Sequence, residues 1–541
     1  MLKDSPQLAP FRNPTFRTLW TATLASNLGG LIQAVGAGWM MTTITDSRDM
    51  VALVQASSTL PIMLFSLIAG AFADSFPRRR ILLTAQIFML VVSALLAIFA
   101  FGGLLTPWLL LGFTFAIGCG IALNNPAWQA SVGDIVPRQH LPAAVVLNSM
   151  GFNLMRSIGP ALGGVIVQIG GAATAFAVNA LSYTFLVGAL ARWRPTAEES
   201  VLPREAIGPA IGAGLRYVSM SPNLMKVMFR GLLFGGSAIA SLALLPLVAR
   251  DLVQGDALTY GFLLGAFGFG AIGGAFLNPR LRERFNNEAI VRGAFIVFAM
   301  AALALGLSRE IWLSALVLLP AGACWVVSLS LFNVTVMLST PRWVVGRALA
   351  LYQTATFGGM AGGSWLWGSV AQAFGSDQAL VISAIALVVA ASVGLRWALP
   401  EFGALNLDPL GQFREPVVRL DLASRSGPIV VMIDYQIDQA DVPAFLALMA
   451  DRRRIRIRDG ARQWALLRNL QDTDTWTETY HVPTLVEYER HNRRRTKSDA
   501  ENIERLRALH RGPPLRSRLT IERQTVPRHD DTPLKTPLDV H

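Results

Sequence analysis

Arg156 stands fourteen residues past Pro142 in a largely apolar run, about 21 Å along a helix at about 1.5 Å per residue. A cation at that depth in a bilayer costs about 2.5–3.5 kcal/mol on insertion scales, so it belongs in a bundle interior or a wet cavity. There it would hold an anionic group. The alternative is a structural pairing with carbonyls or with Asn124, Asn125 or Asn179. Asn27, Gln33, Gln55, Asn148, Asn153, Asn333 and Gln353 would add polar lining to a path, although each alone is equally a helix–helix hydrogen bond.

Two further clusters have chemistry in their spacing. Gly70 is followed by Asp74, Arg78, Arg79 and Arg80. A carboxylate beside cations where a helix leaves the membrane can hold a loop in one conformation and release it in another. A basic cluster that only anchors topology is the plainer alternative. Gly159, Pro160, Gly163 and Gly164 combine close backbone approach with a bend, because small residues admit a neighbouring helix and proline removes a backbone donor. Packing and hinge both remain open.

Other chemistries lack their residues. Cys119 and Cys324, the two cysteines, lie inside apolar runs and make no disulfide framework or thiolate metal site. No Gly-x-x-x-x-Gly-Lys-(Ser/Thr) phosphate loop occurs. Before residue 401 every acid falls in a loop, tail or helix end, and no histidine lies in an apolar run. Proton coupling would therefore rest on Asp46, Asp74 or Asp134. No cofactor, no metal and no nucleic acid is expected.

The elements that must position these residues are membrane spans. The 541 residues are 52% hydrophobic and 15% charged, against about 25% charged in soluble proteins. Runs of about 20 apolar residues fall near 16–42, 50–73, 81–102, 107–128, 142–170, 172–193, 225–249, 258–278, 289–308, 311–337, 348–373 and 378–398. Nineteen Lys and Arg then lie on the amino-terminal side and three, Arg48, Arg250 and Arg309, on the other. That bias places both termini in the cytoplasm. It also explains the net charge of +12 better than nucleic-acid binding does.

A repeat supports the count. Gly70, Asp74, Arg78 and Arg80 match Gly274, Asn278, Arg282 and Arg284, and Gly159 to Gly164 matches Gly358 to Gly363. The predicted domains are a six-helix bundle (1–195), a linker (196–223), a second bundle (224–400), a linker (401–427), a cytoplasmic domain (428–522) and a disordered end (523–541).

These residues resemble a known family. Gly70-Ala71-Phe72-Ala73-Asp74-Ser75-Phe76-Pro77-Arg78-Arg79 is similar to the loop signature of the major facilitator superfamily, departing from it at Ser75 and Pro77. Gly159-Pro160-x-x-Gly163-Gly164 is similar to the fifth-helix motif of that superfamily's antiporters. Phe16-Arg17-x-Leu19-Trp20 and the stretch from Asn148 to Arg156 look most like the bacterial transmembrane secretion effectors that include the enterobactin exporter. The resemblance covers 12–400. It implies an all-α membrane fold of two pseudo-symmetric six-helix bundles, and alternating-access export of a small molecule from a bacterial inner membrane. The substrate could be a siderophore or drug, and protons could be exchanged. An importer of the same fold and a membrane-anchored sensor or enzyme remain as rivals.

The polar tail reads β-α-β-β-α-β. Strands are predicted at Pro428–Ile437, Gln463–Leu470, Trp476–His481 and Leu515–Ile521, and helices at Val442–Arg453 and, as one long helix, Thr484–His510. That order predicts a ferredoxin-like α+β domain. It resembles the antibiotic-biosynthesis monooxygenase-like domain, which implies self-association through its sheet. Trp464, Trp476, Tyr480, His481 and His491 form no metal or triad spacing, so catalysis is not expected. Arg452 to Arg458 offers either a lipid-facing or a solvated basic face.

Overall fold

A computed structural model describes residues 6–194, 207–341, 343–401 and 426–522, with a few positions between 407 and 423. The side chains at 6–8, 73–75, 138, 142, 207, 209 and 210 lie outside that description, and so does the expected disordered end. Two compact units emerge: Met1–Ile211 with Asn223–Val336 and Leu349–Glu401, and Gly212–Pro222 with Met337–Ala348 and Phe402–His541.

The first unit is helical. Its members are α1 (Pro14–Ile44), α2 (Arg48–Ser75), α3 (Arg78–Phe101), α4 (Pro107–Ile135) and α5 (Leu141–Arg192), followed by the connecting helix α6 (Ile207–Ser219), which runs on into the second unit. Then come α7 (Pro222–Ala243), α8 (Ala257–Arg284), α9 (Asn287–Leu307), α10 (Ile311–Leu338), α11 (Val345–Phe374) and α12 (Ser376–Arg396). Local chemistry sets the boundaries. Asn13 caps α1 by accepting from the Thr15 and Phe16 amides, with Pro14 in the first turn, and its own amide donates to the Ile135 carbonyl at 2.7 Å. Asp256 and Asn286 cap α8 and α9 in the same way. The two short turns expected from sequence are glycine turns: Gly171, at φ 77°, bends α5 into two arms, and Gly375, at φ 101°, separates α11 from α12.

Nine helices among the described residues are long and apolar enough to cross a membrane. One of them is α5, which is two crossings joined at Gly171. The 31-residue α1 and 30-residue α11 have the length as well, but threonine, serine, amides and glycine dilute their apolar content. Counted arm by arm, the bundle has the twelve spans read from sequence. Their outer faces are apolar and uncovered, as at Ile98, Trp108, Ile169, Leu181, Trp312 and Leu395. In lipid such faces need no partner, because the helices satisfy their own backbone groups.

Sequence reading counted Arg230 only as a loop charge. The structure buries it completely. Its Nη1 donates to the Ala390 carbonyl at 2.6 Å, its Nη2 donates to Glu288 Oε1 at 3.2 Å, and its guanidinium lies 5.0 Å from the Phe295 ring. Glu288 Oε2 accepts from the Leu399 amide at 3.0 Å. One ion pair thus ties α7, α9 and the end of α12, and it needs Gly394, where a side chain would collide with Glu288.

The second unit contains the tail domain: β1 (Ile429–Gln436), α13 (Val442–Asp459), β2 (Arg462–Arg468), β3 (Thr475–Val482), α14 (Leu485–Arg493), α15 (Lys497–Leu509) and β4 (Ser517–Ile521). The sheet order is β2-β3-β1-β4 and every pair is antiparallel. Strict alternation on β1 and β3 buries Val431, Ile433, Tyr435, Trp476 and Tyr480 against Phe445, Met449 and Leu506 of the helices. One expectation is corrected. The long helix predicted over Thr484–His510 is two helices, because Thr496 and Asp499 form a reciprocal capping box that starts α15 afresh.

Replacing Glu288 by Gln strands Arg230 as a buried charge. The expected loss is about 3–5 kcal/mol of stability, read as a lower unfolding temperature in detergent. The double change Arg230→Met, Glu288→Gln should recover much of that loss; a single variant that melts like the parent contradicts the pairing.

Candidate functional site

Where α5 crosses α8, the halves α1–α5 and α7–α12 meet backbone to backbone. On α5, a Cβ at Gly164 would stand 3.0 Å from the Gly261 Cα of α8. One at Gly261 would stand 2.6 Å from the Pro160 carbonyl, and one at Gly268 2.6 Å from that of Arg156. The neighbouring glycines of the motif face their own half: a Cβ at Gly159 would stand 2.8 Å from Leu31 and one at Gly163 3.1 Å from Val35, both on α1. The second half repeats the arrangement. Gly359 and Gly363 press on Leu232 and Gly236 of α7, while Gly358 meets Met63 of α2 at 3.0 Å. Each glycine element therefore joins its own first helix to the opposite half.

Polar contacts reinforce this seam toward the end where α1 stops and α2 begins. Arg250 Nη1 donates to the Thr42 carbonyl at 2.7 Å and Nε to Asp251 at 2.6 Å; Arg48 lies 3.7 Å from Asp251. The Arg48 amide donates to Gln372 Oε1 at 2.7 Å. Deeper in, Ser66 and Thr354 hydroxyls are 2.9 Å apart. Closer to the amino-terminal end, Gly70 and Gly273 face open space. Sequence reading missed this far-end cluster, having treated Arg48 and Arg250 only as loop charges. Its signal was the adjacent opposite charges Arg250 and Asp251.

Arg156 sits at the centre of the seam, half-buried, with its guanidinium 5.9 Å from the Phe267 ring. Among the described residues no carboxylate, carbonyl or amide pairs with it. Two of the suggested partners, Asn179 and Asn124, are engaged elsewhere, and Asn125 is exposed. Asn179 donates to Gln33 Oε1 and, at 3.1 Å, to Ser93, which in turn donates to Gln33 at 2.6 Å. Asn124 accepts from Gln86 at 3.0 Å. Gln33 thus belongs to a buried triad that ties α1, α3 and the second arm of α5. Asn153 donates back to the Ser149 carbonyl at 3.0 Å. Asn333 on α10 and Gln353 on α11 are half-buried and make no hydrogen bond among the described residues.

The cluster after Gly70 divides. Arg78 pairs with Asp134 at 2.7 Å and also donates to the Ala130 carbonyl, both on α4. Arg79 donates to the Leu190 and Ala191 carbonyls at the end of α5, where the helix dipole favours a cation. The Asp74 side chain lies outside the described residues. In the second half, Asn278 donates to Ser330 at 3.1 Å, joining α8 to α10.

Comparison with known proteins agrees with this fold. The bacterial homologue of the human lysosomal transporter Spinster, inward-facing and unoccupied, has a TM-score of 0.55 at 16% identity, over 71% of this chain and 96% of that one. The peptide-family transporter PepTSo gives 0.60 at 13%, over 71% and 98%. Among curated relatives, the staphyloferrin A transporter of Staphylococcus aureus is 23% identical over 47% of this chain, which spans 64% of that relative's length. The multidrug efflux pump Tap of Mycobacterium tuberculosis is 24% identical over 75% of this chain and 98% of its own. The enterobactin exporter EntS of Escherichia coli is 25% identical over 70% and 92%. The family model described as transmembrane secretion effector matches residues 5–525. With twelve spans in two matched halves, this chain is a multi-pass membrane transporter of the major facilitator type and belongs to the transmembrane secretion effector family.

Proposed function

We propose that the chain exports a small anionic or amphipathic molecule by alternating access across a bacterial inner membrane, with both termini in the cytoplasm. The single observation that carries the substrate class is Arg156, an intramembrane cation at the meeting of the halves with no protein counter-charge among the described residues. A cation so placed favours an anionic guest. The basic bias of the amino-terminal-side loops supports the orientation. Relatives named for siderophore export and multidrug efflux support the outward direction. Asn153, Asn333 and Gln353 carry uncommitted hydrogen-bonding groups and are proposed to line the path; Asn124 and Gln33 reach it through the networks they already belong to.

Transport follows from the seam. Backbone contacts at Gly164, Gly261 and Gly268 form a pivot, and the charges at Arg48, Arg250 and Asp251 hold the far end shut while the cytoplasmic end admits substrate. Breaking the far-end pairs and engaging the Gly70–Arg79 cluster with Asp74 would complete the exchange. Proton coupling is assigned to helix-end acids, with Asp134 the candidate whose ion pair with Arg78 is visible. The tail domain is assigned a regulatory or self-associating role, without catalysis.

Two outcomes test this. Arg156→Gln should abolish efflux of the anionic substrate, identified by comparing compounds inside and outside cells with and without the protein; unchanged export at equal expression removes Arg156 from the mechanism. Replacing Arg48 and Arg250 by Ala should open the far end. A cysteine at buried Ala257, in a background lacking Cys119 and Cys324, should then label faster with an impermeant maleimide, and an unchanged rate contradicts the latch.

A further inference from the structure

The tail domain holds an unusual group of charges between α13 and the α14–α15 junction. Four arginines, Arg452, Arg456, Arg458 and Arg495, meet three carboxylates, Glu478, Asp459 and Asp499. Glu478 is fully buried and receives Arg452 Nε at 2.8 Å, Arg456 Nε at 3.0 Å, Trp464 Nε1 at 3.1 Å and the Tyr435 hydroxyl at 3.0 Å. Burial alone would raise its carboxyl, but Arg456 and Arg452 outweigh that and hold it well below the usual carboxylate range. Arg458 takes both aspartates, each at 2.9 Å. Asp499 also accepts from the Thr496 amide at 3.1 Å and hydroxyl at 2.8 Å. One positive charge is left over.

That excess has a location. Arg456 is 2% exposed, and its Nη2 is buried without a hydrogen-bond partner. Arg495 donates to the Asn492 side chain and meets no carboxylate among the described residues. Burial, then the neighbouring Arg456, pushes the Arg495 guanidinium down to about 10. His491 cannot supply a negative charge and does not add a positive one. Burial, then Arg456 and Arg495, push the imidazole well below its ordinary value. With Nδ1–H assigned to the Asp459 carbonyl at 3.3 Å, Nε2 accepts from Arg456 Nη1 at 3.0 Å.

Arg452, Arg456, His491 and Arg495 line one small, partly open cavity, together with Ile455, Ile503 and the two aspartates that Arg458 holds. We propose that this cavity binds a small monovalent anion of about the size of chloride, held by Arg456 Nη2 and Arg495. The space suits a single water-sized occupant, which excludes sulfate, phosphate and a carboxylate-bearing substrate. A water there would satisfy hydrogen bonds and leave the partly exposed Arg495 without an anionic partner among the described residues. The site also adjoins a contact beyond the tail domain itself. Arg494, next in sequence to Arg495, stacks 4.1 Å from the ring of Trp343 in the segment between α10 and α11.

Full-length protein purified in detergent provides the test, with its unfolding temperature followed as sodium chloride replaces sodium gluconate at constant ionic strength. The expected result is a saturable rise with chloride, reproduced by bromide, that Arg495→Met shifts to about tenfold higher concentration or removes. Equal unfolding temperatures in chloride and gluconate overturn the proposal, and so does an undiminished chloride response in Arg495→Met. Should that variant be too unstable to purify, the wild-type protein decides alone: a rise of the same size with sulfate at matched ionic strength also overturns it.

Discussion

Two backbones in contact without side chains between them are the constraint on which the transporter depends. At Gly164 and Gly261 the two halves approach so closely that any Cβ would intrude on the opposite helix. In lipid, apolar side chains gain little by meeting each other instead of acyl chains, so association between helices relies on close packing. The glycines at Gly164, Gly261 and Gly268 supply that packing with no side chain between the two helices. At Gly358, where the second half meets α2, the glycine instead makes room for the Met63 side chain.

Charge placement follows from the same medium. Arg230 and Arg156 are both arginines in helical segments, yet their surroundings differ. Arg230 has a carboxylate, a carbonyl and an aromatic face, and behaves as a rivet within one half. Arg156 has one aromatic ring and no anionic partner among the described residues. A bilayer tolerates the second arrangement only where water or a ligand reaches the cation, and the meeting of two movable halves is such a place.

Much of this was legible because lipid makes simple demands on sequence. Span lengths, the chain breaks near 171 and 375 and the strands of the tail follow from residue type, and the structure reproduces them. Contacts between residues far apart in sequence were less legible. Nothing local announces that Glu288 reaches Arg230, that Asn179 joins Gln33 and Ser93, or that Arg48 and Asp251 meet across the far end. The split between α14 and α15 was readable in Thr496 and Asp499, a threonine followed three residues later by an acid, but the continuous polar periodicity of the tail concealed it. The role of Arg456 needed three dimensions, since its neighbours come from α13, β3 and α14.

The central claim is that the halves pivot about the seam, so that the two ends of the bundle open in opposition. Spin labels report it most directly, in a background without Cys119 and Cys324, with one pair at Asp46 and Gln254 on the far end and another at Val145 and Glu283 on the near end. A short far-end and a long near-end separation are expected at rest, with each distance moving opposite to the other when transported substrate is added. Separations that stay fixed at both ends, or that lengthen together, would contradict it.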